Sequence, residues 1–495
     1  MAFDEVLAAE TLSYVVGNVP ASHPVAKEAK YGSKSVGSVE KAIRACRLED
    51  GGTVSFHHHY RSGDKVMMMV LSEIDRLGFR NIRLAVSSIF PGNAMLCDLI
   101  KRGVITRIIT DYIAGPVADA VLAGMLLHPL VLQSHGGRAR AIASGQLEID
   151  VAFIGASLTT TEGAATGRYG PCPCGPLGYA MVDAQYAKKV IVISQAVCAP
   201  TSLPFEIPAG HVDYVVEVAS VGDRDRIGSG TTVAKRTPES ERICDLVTAL
   251  IQSSGLLKDG FSFQTGAGGY SLATVPAIGR AIQEKRVRGS FISGGITGEH
   301  VKLLHAGAVD YLFDVQCFDN EAIKSSASNW NHIVMSADNY ANPSNPNAIV
   351  NRLSTMLMGA VEVDRNFNVN VVLAGDGRVI GGPGGHPDTA EGSKLAVVTT
   401  TLAGGGFAKI VDTVGCIVTK GNSVDAIATD FGLCVNPLRE DLIDRLTADG
   451  VVLKSFEELH SAAEKIATRR RVQYDGTPRI IIEARNGCPA DVVIR

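Results

Sequence analysis

The stretch from Thr53 to Ser88 constrains the fold more than any other part of the chain. Thr53-Val54-Ser55-Phe56 has the β-branched and aromatic content of a strand. The polar loop His57-His58-His59-Tyr60-Arg61-Ser62-Gly63-Asp64-Lys65 follows, then a segment over 66–77 with helical spacing. Ile82-Arg83-Leu84-Ala85-Val86 is a second strand, ending in Ser87-Ser88. Two strands separated by a helix cannot close as a tight hairpin, so they run parallel in one sheet.

The same rhythm continues on both sides of a break. Strands are expected at 105–110, 131–132, 151–154 and 189–193, with helices over 36–46, 117–126 and 138–144 and a turn-rich loop over 163–178. Around 223–238 the pattern lapses into charges, glycines and threonines, which marks a domain boundary. It then restarts. The strand 261–263 leads into Gln264-Thr265-Gly266-Ala267-Gly268-Gly269, and 290–292 into Ser293-Gly294-Gly295. The strand 311–315 precedes Gln316-Cys317-Phe318-Asp319. The apolar run 369–375 has the length of a buried strand and precedes Gly381-Gly382-Pro383-Gly384-Gly385-His386-Pro387-Asp388. Strands over 409–414 and 416–418 follow, and the tail over 479–484 is an expected edge strand. The organisation read from this is an N-terminal arm over 1–48 and two similar α/β domains, 49–228 and 229–495, with mainly parallel sheets. Ligands bind such sheets outside the carboxyl ends of the strands.

Composition removes several function classes. The net charge is −4 with no long basic block, which argues against nucleic acid as a partner. The start, Met1-Ala2-Phe3-Asp4-Glu5, lacks the basic and apolar regions of a signal peptide. The longest apolar stretch is interrupted by Asp119, His128 and Pro129, too early for a bilayer span. The 10 cysteines have no framework spacing, and Cys172 and Cys174 form C-P-C rather than CxxC. Free thiols in a reducing cytoplasm, with no membrane association, are the expectation.

Chemistry is expected at the strand ends. No G-x-S-x-G, H-E-x-x-H, Walker A or strand-linked G-x-G-x-x-G is present, which removes the common hydrolase, metalloprotease, kinase and dehydrogenase signatures. His57, His58 and His59 alternate faces on a strand and fan by about 100° on a helix, so neither geometry gathers three imidazoles on one metal. No metal is expected. Glycine loops instead bring bare backbone amides close to a ligand and suit oxyanion stabilisation in acyl transfer. Gly268, Gly269, Gly295, Gly384 and Gly385 are the candidates for that role. His57, His58, Arg61, Ser87, Arg138, Gln264, Gln316 and His386 are the candidate substrate-binding residues.

The runs SFHHHYRSGD, SHGGRARAI with EIDVAFIGAS, GPLGYAMVDAQYA, DGFSFQTGAGGYSLA, SGGITG, DVQCFDNEA, FNVNVVLAGDG and GGPGGHPDTAEGSK resemble the α subunit of bacterial citrate lyase. They occur in order over about 48–446. The resemblance implies two coenzyme A transferase-like α/β domains. It also implies exchange of acetyl for citryl on the thiol of an acyl carrier protein, with citrate as substrate. The implied partners are a β subunit that cleaves the citryl thioester and a γ subunit carrying the acyl group, with self-association in a large complex. The implied thiol is a phosphopantetheine-type arm built from dephospho-coenzyme A and supplied by the carrier; acetyl-coenzyme A would be its surrogate, and this chain would bind no cofactor of its own. The segments 110–115 and 170–174 depart from the pattern, so a free-standing coenzyme A transferase for citramalate or another small carboxylic acid stays open. A sugar-phosphate sensor on the same halves also stays open, although no helix-turn-helix accompanies them.

One departure from the wider transferase family bears on mechanism. Glutamate-dependent members carry a nucleophilic Glu in a Ser-Glu-Asn-Gly turn, and Ser293-Gly294-Gly295 puts Gly294 at that place. The resemblance therefore implies direct attack of a citrate carboxylate on the acetyl thioester through a mixed anhydride. Asp319, Glu321 and Asp388 are the neighbouring carboxylates, with Asp388 expected to brace its own loop.

Overall fold

The computed structural model describes residues 32–228 and 232–495. Most of the expected N-terminal arm, and residues 229–231 at the expected domain boundary, lie outside the described residues. Two large sheets organise the rest, one per domain.

The first sheet contains ten strands. Its central strands are Lys189–Ser194, Val151–Ala156, Thr53–Phe56, Ile82–Val86, Ile105–Thr110 and Leu130–Leu132, in that order, all parallel. The helix Val66–Arg76 makes the first crossover, burying Val66, Met67, Val70, Leu71 and Ile74. Helical spacing puts those side chains on one stripe. At one edge lie Tyr214–Glu217 and then Ser35–Val36, so the last residues of the expected arm are part of this sheet.

At the other edge the tail corrects the sequence reading. Pro478–Glu483 is not an edge strand of the second domain. It pairs in parallel with Leu130–Leu132 of the first, and Pro489–Ile494 closes the edge antiparallel to it. Ile480, Ile481 and Ile482 are buried there. A run buried on both faces cannot be told from an edge strand by its own composition.

The second sheet has eight strands. Its order is His332–Val334, Val309–Cys317, Gly289–Ile296, Ser262–Thr265, Thr355–Gly359, Ala396–Thr399, Ala426–Ala428 and Leu433–Val435, all parallel but the last pair. The strand Gly289–Ile296 runs on through Ser293-Gly294-Gly295, with an irregularity in register between the two glycines. These residues are therefore strand with a bulge, not a turn.

The run 369–375 does not form the buried strand expected of it. Val369–Asn370 pairs antiparallel to Glu362–Asp364 in a small separate sheet, and beyond it Leu373 makes only an isolated bridge to Val379. Asn370 is the reason. Its Oδ1 accepts from the amides of both Val372 and Leu373 at 2.9 Å, and its Nδ2 donates to the Leu373 carbonyl at 2.7 Å. A side chain that takes the local backbone groups removes them from any ladder. The expected strand over 416–418 is likewise irregular, and 409–414 contributes only Ile410–Val411.

Among the described residues no helix is long and apolar enough to cross a membrane.

Candidate active site

The carboxyl ends of both sheets face a shared cavity of about 510 Å³. From the first domain come His58, Arg61, Ser88, Phe90, Tyr112, His135 and Tyr179. From the second come the loop Gly266–Gly269, Gln264, Gln316, Tyr340, Thr399, Lys409 and the glycine loop through His386. Of the expected site residues, Gly268, Gly269, Gly295, Gly384, Gly385, His58, Arg61, Gln264, Gln316 and His386 line the cavity. His57, Ser87 and Arg138 do not.

The three exceptions have a common cause: each is consumed by a buried partner. Arg138 grips Asp183 with both terminal nitrogens at 2.8 Å, and His57 Nε2 lies 2.9 Å from the same carboxylate. All three side chains are buried. Burial works against the charge of Asp183, but Arg138 and His57 outweigh it and hold the carboxyl well below its usual range. The pair fastens the helix His135–Ala143 to the helix Gly178–Tyr186. Ser87 Oγ sits 2.6 Å from His58 Nδ1 and accepts from the His58 amide at 3.1 Å, so it orients a lining residue from behind. From across the domain junction, Gln316 Nε2 donates to the His58 carbonyl at 3.0 Å.

The histidine loop makes a packed column. His57 stacks on His59, His59 on His58 and His58 on His135, with ring centroids 5.9, 6.4 and 6.3 Å apart. Burial first, then the charge of the neighbouring imidazoles, holds His58 and His59 well below the ordinary histidine range. They are neutral at pH 7. Arg61, in the left-handed region at φ 48°, projects its guanidinium toward Phe318 and Phe90, 4.8 and 5.9 Å from the ring centroids. Burial lowers it to about 10, which still leaves it charged at pH 7.

The glycine loop is bolted to the first domain. The Gly384 amide donates to the Asp111 carbonyl at 3.2 Å, and the Gly384 carbonyl accepts from the His135 amide at 2.8 Å. The Gly384 N–H is therefore occupied, contrary to its expected service as a free oxyanion donor. Its own φ is 51°. The amides of Gly268, Gly269 and Gly385 donate to no acceptor among the described residues and remain at the cavity wall. Gly385 has no room for a side chain, since a Cβ there would strike the Tyr340 hydroxyl.

Asp388 does not brace its own loop. Its Oδ1 accepts from Ser134 Oγ at 2.9 Å and its Oδ2 from the Gly136 amide at 2.8 Å, at the start of the helix His135–Ala143 of the other domain. Burial raises it to about 6, against the pull of Arg485. Asp319 caps the helix Asn320–Ser328 and accepts from the Gly298 amide at 2.7 Å; Glu321 is exposed beside Lys324. None of the three lines the cavity.

Gly294 has φ 97°, and a Cβ on it would lie 2.5 Å from Gln264 Nε2. The Gln264 amide fills that space, accepting from Ser293 Oγ at 2.9 Å and donating to the Tyr340 hydroxyl at 2.7 Å. Among the described residues, no Asp, Glu or Cys lines the cavity, while Arg61, Lys235 and Lys409 do.

Several lining residues escaped sequence reasoning. His135 forms a pair with buried Asp111 at 2.9 Å, and the two residues lie 24 positions apart. The SHGG run was a usable signal for His135. Tyr112, Tyr179, Tyr340, Lys235 and Lys409 carried none. One grouping of metal-ligand type occurs among the described residues, Asp314, Cys317 and His332. There Cys317 Sγ and His332 Nε2 each lie 3.0 Å from Asp314 Oδ2, and His332 Nδ1 lies 2.8 Å from Ser325 Oγ. Burial, then the charge of Asp314, pushes the thiol well up. The cluster is a chain of internal hydrogen bonds around a neutral thiol.

Two α/β domains with mainly parallel sheets, both lining one cavity, define a protein of the coenzyme A transferase-like fold. The alpha subunit of a malonate decarboxylase from Acinetobacter baumannii shares that fold, with TM-score 0.64 at 13% identity over 89% of this chain and 92% of its own. The chain belongs to the citrate lyase alpha subunit family (CitF), whose model matches residues 32–495. It is 39% identical over 476 residues to the citrate lyase alpha chain of Haemophilus influenzae, covering 96% of this chain and 95% of that one. A Streptococcus mutans protein assigned as a citrate lyase alpha subunit and solved in complex with citrate has TM-score 0.92 at 39% identity, covering 96% and 94%.

Two predictions follow from the buried carboxylates. Arg138→Gln leaves Asp183 without its main counter-charge, which costs about 3–5 kcal/mol. The midpoint of urea unfolding should fall clearly, and an unchanged midpoint would remove Arg138 from this role. For Asp388, the folded carboxyl titrates at about 6 and the unfolded one near 3.8. Its contribution to stability is full below pH 4 and is lost as pH rises through 6, by about 3 kcal/mol at most. Asp388→Asn has no such term, so the stability gap between wild type and variant should shift in that sense between pH 4 and 6 and be constant above, as measured by urea unfolding.

Proposed function

We propose that this chain catalyses the acyl exchange of citrate lyase, replacing acetyl by citryl on the thiol of an acyl carrier. One observation carries this reading beyond the family assignment: the cavity is lined by cations and uncommitted backbone amides, and by no carboxylate or thiol among the described residues. Such a site suits a polyanionic acid and a developing oxyanion. It offers no side chain of the kind that forms an enzyme thioester.

The reaction is then a direct transfer. A citrate carboxylate oxygen attacks the acetyl carbonyl carbon and the C–S bond breaks, which releases the carrier thiolate and leaves a citryl–acetyl anhydride. The thiolate attacks the citryl carbonyl carbon, the bond from that carbon to the bridging oxygen breaks, and acetate departs with that oxygen. Each addition places negative charge on a carbonyl oxygen. The amides of Gly268, Gly269 and Gly385 are the donors available to it, with the Gln264 side chain held beside them. Arg61 supplies charge for a substrate carboxylate. The neutral imidazoles of His58 and His386 donate or accept without adding charge; burial lowers His386 to about 4.

The thiol arm comes with a carrier subunit, and acetyl-coenzyme A is the surrogate that tests it. A lyase subunit would consume the citryl thioester, and a large assembly including further copies of this chain would hold the parts together. The citrate-bound Streptococcus mutans relative supports citrate as the acid.

The direct route forbids an acyl-enzyme. Incubated with acetyl-coenzyme A and no citrate, the protein should keep its unmodified intact mass, and initial rates should intersect rather than run parallel. A stable adduct on any carboxylate overturns the direct route. Arg61→Met should raise KM for citrate about 10–100-fold, the scale of one charged hydrogen bond, with little change in the melting midpoint. An unchanged KM removes Arg61 from citrate binding.

A further inference from the structure

The exchange scheme leaves two cavity cations unused, Lys409 and Lys235. Lys409 is rooted by its backbone: its amide donates to the Leu402 carbonyl at 2.8 Å, and its carbonyl accepts from the Val363 amide at 2.7 Å. Its Nζ lies 3.2 Å from the Ala360 carbonyl and 3.1 Å from Thr400 Oγ1. Those acceptors directly follow Thr355–Gly359 and Ala396–Thr399, neighbouring strands of the second sheet, at the end where α/β sheets receive ligands.

An ammonium has three donors, and these two neutral partners take two of them. Among the described residues no carboxylate lies within ion-pair distance of Nζ. A second cation stands at the same wall instead. Lys235 holds its Nζ 4.5 Å from the centre of the Tyr270 ring, and its backbone amide donates to the Gly269 carbonyl at 2.9 Å. Burial, then the charge of Lys235, lowers the Lys409 ammonium to about 8, and Asp430 opposes the shift. A lysine that serves packing alone sends its charge to solvent or to a carboxylate. Lys409 is half-buried at the cavity wall with no carboxylate partner among the described residues, and two like charges beside one cavity are relieved when an anion enters it.

We propose that Lys409, with Lys235 and Thr400, forms a second anion subsite of the cavity, separate from Arg61, that holds a carboxylate or phosphate oxygen of a bound substrate. Under the acyl-exchange reading, on which only the names of its ligands rest, the oxygen belongs to a citrate carboxylate or to a phosphate of the thiol arm. Lys409 is then a positioning residue, and it acts on binding.

Calorimetric titration of the full chain with citrate and with acetyl-coenzyme A separates the sources. Lys409→Met should weaken Kd for one probe about 10–100-fold, and Lys409→Arg should recover part of the loss. A loss confined to citrate assigns the carboxylate; a loss confined to acetyl-coenzyme A assigns the phosphate. Unchanged Kd for both probes overturns the subsite, even if the melting midpoint falls, because Lys409 then only braces the Ala360 and Thr400 segments. If Lys409→Met does not fold, exposed Lys235 carries the test: Lys235→Met must weaken the binding of one probe, and no change overturns the proposal. Wild-type protein that binds a probe without exchanging acyl groups overturns the proposed reaction, while the same Kd comparison still decides the subsite. Wild-type protein that binds neither probe overturns both.

Discussion

The buried carboxylate of Asp388 is the interaction on which the cavity depends. It stands at the start of a short helix in the second domain, yet its acceptors are used by Ser134 and Gly136 of the first. A carboxylate at that helix start also complements the helix dipole. Arg485, from the tail that has crossed back to the first sheet, lies 3.4 Å away and offsets part of the desolvation. The adjacent glycine loop is drawn in by the same contact, since Gly384 is bonded on both sides to the Asp111 and His135 backbone. Asp388, the Gly384 backbone and Gln316 together hold the two halves of the site against each other.

The electrostatics of the cavity follow from how the other carboxylates are used. Asp183 is paired with Arg138 and His57, Asp111 with His135 through Oδ2 alone, and Glu483 with Gln133 and Arg140. Each is buried and paired, because an unpaired buried charge is costly. What remains facing the cavity is Arg61, Lys235, Lys409, the imidazoles of His58, His135 and His386, and backbone amides. These cations, with no carboxylate among the described lining residues, make the field there positive. The same arrangement explains why Gly294 tolerates no side chain: Gln264, pinned by Ser293 and Tyr340, occupies the volume a side chain would need.

The legibility of these features in the sequence was uneven for identifiable reasons. The parallel strands announced themselves, because continuous β-branched runs and intervening helical stripes are local patterns. The glycine loops were visible as composition, and most of them do line the cavity. The run 369–375 misled because a single Asn370 side chain diverted the backbone hydrogen bonds that its apolar composition promised. Arg138 misled differently: it stands in a glycine- and histidine-bearing segment, but its charge is spent 45 residues away on Asp183. Gly384 lines the cavity, yet its amide is not free.

The amino-acid sequence by itself determined the two-domain parallel α/β architecture, the family, and the glycine-rich strand ends, since each is written in short-range periodicity or in contiguous motifs. Only the tertiary structure decided which polar groups face the cavity and which are neutralised beneath it. The partners of Asp388 lie 252 and 254 residues away, and Gln133 meets Glu483 across 350. Burial makes such pairings obligatory, but no local pattern encodes which distant side chain answers, so charge at the site is a property of the packed molecule.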